Sequence, residues 1–103
     1  MDFSQLGKML EQAKSMKQDM DDRLAAQSFE ATSGGGAVTA TVNGKKELTK
    51  LTIAPAAAAA AAGDITMLED LIIAAVNQAG RKANEAEAAY ANSMLGGMGL
   101  PGM

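Results

Sequence analysis

The feature that most constrains the fold is the spacing of the apolar residues, which changes along the chain. From Phe3 to about Gln27 they recur every three or four residues, as on one side of an α-helix. The positions between them are mostly Gln, Lys, Ser and Asp, so this helix is predicted to be amphipathic. Its apolar stripe must be buried against the rest of its own domain or against a second copy of itself.

The apolar residues of residues 28–53 instead follow the two-residue period of β-strands. A short strand is predicted around Phe29, a second over residues 37–42 and a return strand over residues 45–53. The run Gly34 to Gly36 predicts the first turn, because glycine adopts positive φ without steric cost. These segments together predict a three-stranded antiparallel β-meander.

Two features of the second hairpin concern its turn and its register. Asn43-Gly44 is the strongest short hairpin signal and predicts a type I′ turn. Leu51 and Ile53 share one face of the return strand, but Leu48 has the opposite parity. Either Leu48 faces the other side of the sheet, or a bulge near Thr49-Lys50 restores the register.

The segment after the sheet predicts a second helix. Pro55 ends the last strand, and the alanine run over residues 56–62 allows a helical turn. The helix is predicted to start near Asp64 or Thr66, because Thr66 and Glu69 have the spacing of a capping box. Its apolar stripe is bulky at first and lined by alanine later, so its second half is either an interface or an exposed arm.

The whole pattern predicts an α+β fold with an N-terminal helix, a three-stranded antiparallel β-meander and a C-terminal helix. A single domain is predicted over residues 1–95, and the Gly- and Met-rich residues 96–103 are predicted to form a flexible tail. Only 18 of the 103 residues are Val, Ile, Leu or Phe, against 22 alanines. So thin an apolar inventory favours a core that is completed by oligomerisation.

The residue types that are missing narrow the function. The chain has no Cys and no His, which removes disulfide frameworks, thiolate zinc sites, cysteine nucleophiles and the commonest general base. Glu69 and Asp70 are adjacent and point about 100° apart on a helix, so they do not converge on one ion. We therefore predict neither an enzyme nor a metal or other cofactor.

The sequence also bears on location. The first residues lack the basic start and apolar block of a signal peptide, and the apolar run over residues 53–62 is too short to cross a bilayer. A cytoplasmic protein without a membrane partner is the expectation.

A series of short motifs resembles one protein family. The motifs occupy nearly the whole chain in a fixed order: residues 3–10, 12–16, 30–36, 38–44, 53–55, 67–72 and 74–77, then Lys82 and Gly96-Gly97. In this order and length they resemble the YbaB/EbfC family of bacterial nucleoid-associated proteins. The chain departs from the family pattern at Ala54, where an acidic residue is usual, and in the alanine run, which replaces a more varied segment.

The resemblance implies an intertwined, tweezer-like homodimer whose helices project as arms around a shared β-sheet core. It further implies binding of double-stranded DNA with little sequence preference, a location in the nucleoid and effects on gene expression.

Charge is the difficulty for this expectation. The chain has 9 basic and 12 acidic residues and a pI near 4.8, whereas a DNA-binding protein needs a basic surface. The local field at the duplex decides binding, however, and the basic residues are grouped. On the second helix, Glu85 and Glu87 are close enough to Arg81 and Lys82 to neutralise them by helical pairing. Any one of the lysines could also be an ordinary solvent-exposed residue without a role in DNA binding. The candidate DNA-binding residues are Lys8, Lys14, Lys17, Lys45, Lys46, Arg81 and Lys82, and Lys50 also lies on the hairpin.

The eight methionines have two interpretations. Their helical spacing favours core and dimer-interface positions, while their flexibility suits a surface that accepts varied protein partners. The second interpretation defines an alternative function, a protein–protein interaction module that uses Met-rich helices without direct DNA binding. Asn77, beside the apolar stripe, is predicted to be a buried and hydrogen-bonded amide. The candidate dimer-interface residues are Met9, Met16, Met20, Val38, Val42 and Leu51.

Overall fold

A computed structural model describes residues 3–97. In chain order its elements are helix α1 (Phe3–Ala26), strands β1 (Phe29–Ser33), β2 (Val38–Val42) and β3 (Leu48–Ile53), helix α2 (Pro55–Ala60), a 3₁₀ turn (Ala61–Gly63) and helix α3 (Ile65–Gly97). The strands form one antiparallel sheet in the order β1-β2-β3. The predicted order of N-terminal helix, three-stranded antiparallel sheet and C-terminal helix is confirmed.

The turn between β1 and β2 is the predicted glycine turn. Gly34, Gly35 and Gly36 have φ angles of 62°, 68° and 100°, which residues with a side chain rarely adopt. At Gly34 space is also short, because an added Cβ would lie 3.1 Å from Cδ2 of Leu71. The Ser33 hydroxyl donates a hydrogen bond to the Leu71 carbonyl at 2.6 Å, which ties this turn to α3.

The connection between β2 and β3 differs from the predicted two-residue type I′ turn. It is a loop over residues 43–47, in which Lys46 has a φ of 65° and Gly44 does not have a positive φ. The side chain of Asn43 is only 5% exposed and organises the loop. Its Oδ1 accepts hydrogen bonds from the backbone N–H of Lys45 and Glu47, both at 3.0 Å, and its Nδ2 donates to Oε1 of Glu47 at 2.8 Å. These side-chain hydrogen bonds hold the wider loop in place.

Gly44 is needed for a close approach rather than for its backbone angle. Its N–H donates a hydrogen bond to the carbonyl of Leu24, near the end of α1, at 2.8 Å. A Cβ at Gly44 would lie 2.8 Å from that same oxygen and would also collide with Oε1 of Gln27. The loop can therefore contact α1 only because residue 44 lacks a side chain.

A β-bulge in β3 determines which face of the sheet Leu48 occupies. Val42 pairs with Leu48 and Thr41 pairs with Lys50, so Thr49 is the extra residue. The bulge returns Leu48 to the face of the sheet that carries the other apolar residues of β3. This is the second of the two alternatives that the sequence left open.

The core of the chain lies between α3 and one face of the sheet. Ala75, Ala79 and Ala83 recur every four residues along α3 and are all buried, because their small side chains let the helix lie close to β1 and β2. One cluster joins Ala31, Val42, Ala79 and Ala83, with Phe29 packed against it; the other joins Val38, Ala40 and Ala75, with Ile53, Leu68, Leu71, Ile72 and Val76.

Helix α3 begins at Ile65, between the predicted starts Asp64 and Thr66, and Asp64 is its N-cap. The Asp64 carboxylate accepts a hydrogen bond from the N–H of Met67 at 3.3 Å, which is the usual spacing for an N-cap residue. Thr66 already lies inside the helix, so the predicted capping box of Thr66 and Glu69 is wrong.

The alanine run forms the helical turn that the sequence allowed. Pro55 occupies the first turn of α2, where its missing N–H costs no hydrogen bond. The following Ala61 is buried, while most of the run is exposed. The run therefore connects β3 to α3 and adds little to the core.

Helix α1 contributes no buried residue. The predicted amphipathic helix is present, but its apolar stripe is not covered by the rest of the chain. Phe3 is 88% exposed and Met16 is 72% exposed. Within residues 3–97, the rest of the domain therefore does not bury the apolar stripe of α1, which leaves a second copy of the chain as the other predicted partner.

The chain is long and thin. Its Cα radius of gyration is 20.2 Å and its principal extents are 69 × 37 × 17 Å, whereas a compact domain of this length has a radius of gyration of about 13 Å. Helix α3 continues through Gly97, two residues into the predicted tail, and residues 98–103 lie outside the described part of the chain.

Candidate nucleic-acid interface

A basic and an acidic side chain meet where the β2–β3 loop reaches α3. The ammonium of Lys46 forms an ion pair with the carboxylate of Glu87, at 3.0 Å between Nζ and Oε2. Lys45 is exposed beside it, and the carboxylate of Glu47 is held within the loop by Asn43. The predicted helical pairing of Glu87 with Arg81 or Lys82 is replaced by this ion pair between two separate elements.

Lys82 is directed at the sheet rather than at solvent alone. Its Nζ donates a hydrogen bond to the backbone carbonyl of Glu30, in β1, at 2.7 Å. Arg81 precedes it on an exposed position of α3, about 100° away around the helix. Lys82 and Glu87 are about 7.5 Å apart along the helix axis and about 140° apart around it, so Lys82 and the Lys46–Glu87 pair lie on different sides of α3. The loop lysines and the two basic residues of α3 lie near the same end of the sheet, and together they are called the loop–α3 region (Lys45, Lys46, Arg81 and Lys82).

The three candidate lysines of α1 are not part of this region. A 24-residue helix is about 36 Å long, and only its C-terminal end touches the loop. Lys8, Lys14 and Lys17 are exposed along the part that projects away. At about 100° per residue, Lys8 and Lys17 lie on opposite sides of the helix. The single chain therefore does not gather these lysines into one cluster.

Lys50 lies on a different surface from the loop lysines. Because Val38, Ala40 and Val42 face α3, the alternate residues of the sheet form a polar face that α3 does not cover. The register places Lys50 on that face, where it pairs with Thr41. The face carries Glu30, Thr32, Thr39, Thr41, Lys50 and Thr52 in adjacent cross-strand positions.

A groove separates the end of α1 from the distal half of α3. It has a volume of about 360 Å³ and apolar walls that include Leu24, Ala83 and Met94. At this groove the guanidinium of Arg23 lies over the ring of Tyr90, with 4.5 Å from Cζ to the ring centroid. This cation–π contact and the Gly44–Leu24 hydrogen bond connect α1 to the rest of the chain.

The candidate dimer-interface residues divide into two groups. Met9, Met16, Met20 and Leu51 are exposed and free to contact a second copy. Val38 and Val42 are 0% and 2% exposed beneath α3, so they have no surface left for another chain. The structure corrects the prediction for these two residues, which belong to the core of a single chain.

The sequence did not predict several contacts around the β2–β3 loop and the groove. Arg23 and Tyr90 are 67 positions apart, and no local pattern announces their contact. The buried amide is Asn43 and not Asn77, which is exposed on α3. The Asn-Gly pair did signal a turn, but it did not reveal that the Asn side chain holds the loop.

Two other kinds of feature are absent from residues 3–97. No three His, Cys, Asp or Glu side chains in this range are grouped so that they could hold a metal ion. No helix in the same range combines the length and the hydropathy of a transmembrane span.

Comparison with known proteins identifies the family. The model of the YbaB/EbfC DNA-binding family matches residues 1–98. The chain therefore belongs to the YbaB/EbfC DNA-binding family, as the motifs indicated.

Individual relatives agree with this assignment. A nucleoid-associated protein of Acidobacterium capsulatum is 54% identical over 96 residues, which are 90% of this chain and 89% of the relative. Nucleoid-associated proteins of Koribacter versatilis and Clostridium botulinum are 40% and 42% identical, over 94% and 95% of this chain and 94% and 88% of their own lengths. The fold is similar to the crystal structure of an uncharacterized protein from Helicobacter pylori, with a TM-score of 0.66, 28% identity and coverage of 92% of this chain and 98% of that one.

Proposed function

We propose that this protein binds double-stranded DNA as a homodimer, with little sequence preference, and acts in the nucleoid of the cytoplasm. The observation that carries the proposal is the position of the basic side chains. They lie on an exposed loop and on two long helices, and all of them, including Lys46 with its Glu87 pair, are in exposed positions that a long polyanion can reach. Relatives that share the fold are named nucleoid-associated proteins, which supports the same function.

The mode of binding follows from the types of side chain. Lysine and arginine attract phosphate whatever the base sequence. The exposed aromatic residues are too few for a base-stacking platform, since the whole chain has only one Tyr and two Phe. We expect contacts to the DNA backbone, and contact with about six phosphates would give a slope of log affinity on log salt of about −5.

The homodimer is proposed because a single chain leaves much apolar surface uncovered. The exposed large apolar side chains lie on α1, β3 and α3, and helix α1 buries none of its residues. A second copy would cover the stripe of α1, with Met9, Met16, Met20 and Leu51 as the proposed contacts. It would also present each basic group twice, so that the dimer could bridge or bend a duplex.

The test is fluorescence anisotropy of a labelled duplex of arbitrary sequence, titrated with protein at several salt concentrations. We expect binding that weakens steeply with salt. Lys45→Glu and Arg81→Glu, made singly, should each weaken it much more than Lys50→Glu, which makes the same charge reversal on the other face of the sheet. An absence of binding by the wild type at low salt would contradict the proposal.

A second function is supported by one observation. The groove between α1 and α3 is apolar and is lined by Met20, Met94 and Tyr90, which suits the docking of a protein partner. In that case, partners would be recovered from a lysate in which nuclease has removed all nucleic acid. Loss of every partner after nuclease treatment would favour DNA binding. The DNA-binding family gives no support to a catalytic function, and we propose none.

A further inference from the structure

We infer that Glu87 limits the affinity of this protein for DNA by occupying Lys46, and that the phosphate backbone must displace Glu87 to reach that lysine. The inference rests on the proposed function, because it assigns a role to one acidic residue within the proposed DNA-binding surface.

An ion pair between two separate elements joins Lys46 to Glu87. Lys46 Nζ lies 3.0 Å from Glu87 Oε2, and this is the one ion pair among residues 3–97. The partners are 41 positions apart and belong to different elements, so the fold brings them together and not the local helix geometry. The acidic residue nearest to Lys46 in sequence, Glu47, is not its partner, because its carboxylate accepts a hydrogen bond from Asn43.

Both side chains of the ion pair are accessible to solvent. The Lys46 side chain is 48% exposed and that of Glu87 is 64% exposed. An exposed ion pair is weak because water and salt compete with it, so a duplex that offers several phosphates at once can replace Glu87. The pair thus lowers the affinity without blocking the site.

Other basic residues lie near the ion pair on both of its elements. Lys45 is adjacent on the same loop, and Arg81 and Lys82 lie one to two turns away on the same helix as Glu87. Glu87 thus places an anion directly against the loop lysines, while Arg81 and Lys82 lie about 120° and 140° away from it around the helix. Removing the charge of Glu87 should leave Lys46 without a competitor for phosphate and remove one repulsion.

The experiment compares Glu87→Gln with Glu85→Gln in the full-length protein. Glu85 is exposed two residues earlier on α3 and has no ion pair among residues 3–97, so its substitution changes the net charge equally without freeing Lys46. The readout is the Kd for a labelled duplex and its dependence on salt concentration. Each variant is also measured in a Lys46→Gln background.

We expect Glu87→Gln to tighten binding roughly threefold more than Glu85→Gln does. Its salt slope should stay close to that of the wild type, because Lys46 contacts phosphate in both proteins once Glu87 is displaced. In the Lys46→Gln background the two glutamate variants should become equivalent. If the pair only braced the loop, Glu87→Gln would weaken binding instead.

The outcomes separate the two proposals. Equal effects of Glu87→Gln and Glu85→Gln, or an extra gain that persists without Lys46, would overturn this inference and leave the proposed function standing. Weaker binding by Glu87→Gln would also overturn it. A lack of DNA binding by the wild type and every variant would overturn the proposed function, and this inference with it.

Discussion

Two helices of this chain have apolar stripes of similar spacing, but only α3 buries its stripe within the chain. In α3 the buried positions are Ala75, Ala79 and Ala83, whose small side chains allow close contact with β1 and β2. In α1 the stripe consists of larger residues such as Leu10 and Met16, and none of them is buried. The same helical spacing of apolar residues is thus buried within the chain in α3 and exposed in α1.

The difference lies in what each helix can reach. Helix α3 follows a 3₁₀ turn that returns the chain over the sheet. Within residues 3–97, the contacts of α1 with the other elements lie near its C-terminal end, at Met20, Arg23 and Leu24. Periodicity identifies a face that needs a partner, but it does not say which surface provides one. We therefore expect substitutions in α3 to change folding of the chain and substitutions in the stripe of α1 to change its association.

The largest effect is expected from overpacking the core beneath α3. Ala79 is fully buried against Ala31, Val42 and Ala83, so Ala79→Leu should lower the free energy of unfolding by about 3 kcal/mol. The control is Ala74→Leu, which adds the same side chain at an exposed position of the same helix. Urea unfolding at a fixed protein concentration measures both. Equal stabilities would contradict the packing of α3 on the sheet.

A smaller loss is expected where the loop meets α1. Gly44→Ala places a Cβ 2.8 Å from the Leu24 carbonyl, and the resulting displacement should cost about 2 kcal/mol. Gly80→Ala is the matched control, because a Cβ at Gly80 meets nothing within 4 Å. That control should stabilise the helix by about 1 kcal/mol. If both substitutions stabilise the protein in urea, the contact between loop and α1 is not formed.

The stripe of α1 should respond first in association, and in helical content only where dilution dissociates the dimer. Met16→Glu puts a charge on the exposed stripe and should weaken dimerisation at least roughly tenfold, since a buried charge without a partner is costly. Ser15→Glu introduces the same charge on the opposite side of the same helix and should have little effect. Sedimentation velocity over a dilution series would measure both. Equal dimer affinities would mean that the stripe is not the interface.

The smallest effect is expected at the contact between α1 and the distal half of α3. Arg23→Gln removes the cation over Tyr90 and should cost about 0.5 kcal/mol. Arg81→Gln removes an exposed arginine elsewhere and serves as the control. In a Tyr90→Leu background the loss from Arg23→Gln should vanish. A loss of the same size in that background would show that the ring is not its cause.

The order of elements could be predicted from the sequence because each depends on a local pattern. The glycines at 34–36 specify a turn that needs positive φ, and the parity of Leu48 restricted the register to two choices. The cap of α3 was missed because Asp64 and Thr66 both have capping side chains, and only the position of the first helical residue decides between them.

The site was harder to predict because it depends on contacts between distant segments. A basic residue was recognised by its charge, but its partner was not. Lys46 pairs with Glu87 and Lys82 with the carbonyl of Glu30, and neither partner is near in sequence. Likewise, alternation identified Val38 and Val42 as apolar strand residues, while their burial depends on α3, which follows much later in the chain.

The most direct test of the account is sedimentation equilibrium of the wild type from micromolar to nanomolar concentration, with circular dichroism at each concentration. The account predicts a particle of twice the 10.5 kDa chain mass, and loss of helical structure as dilution dissociates it, because the stripe of α1 has no other cover. A monomer that keeps its full helical content at nanomolar concentration would contradict the account.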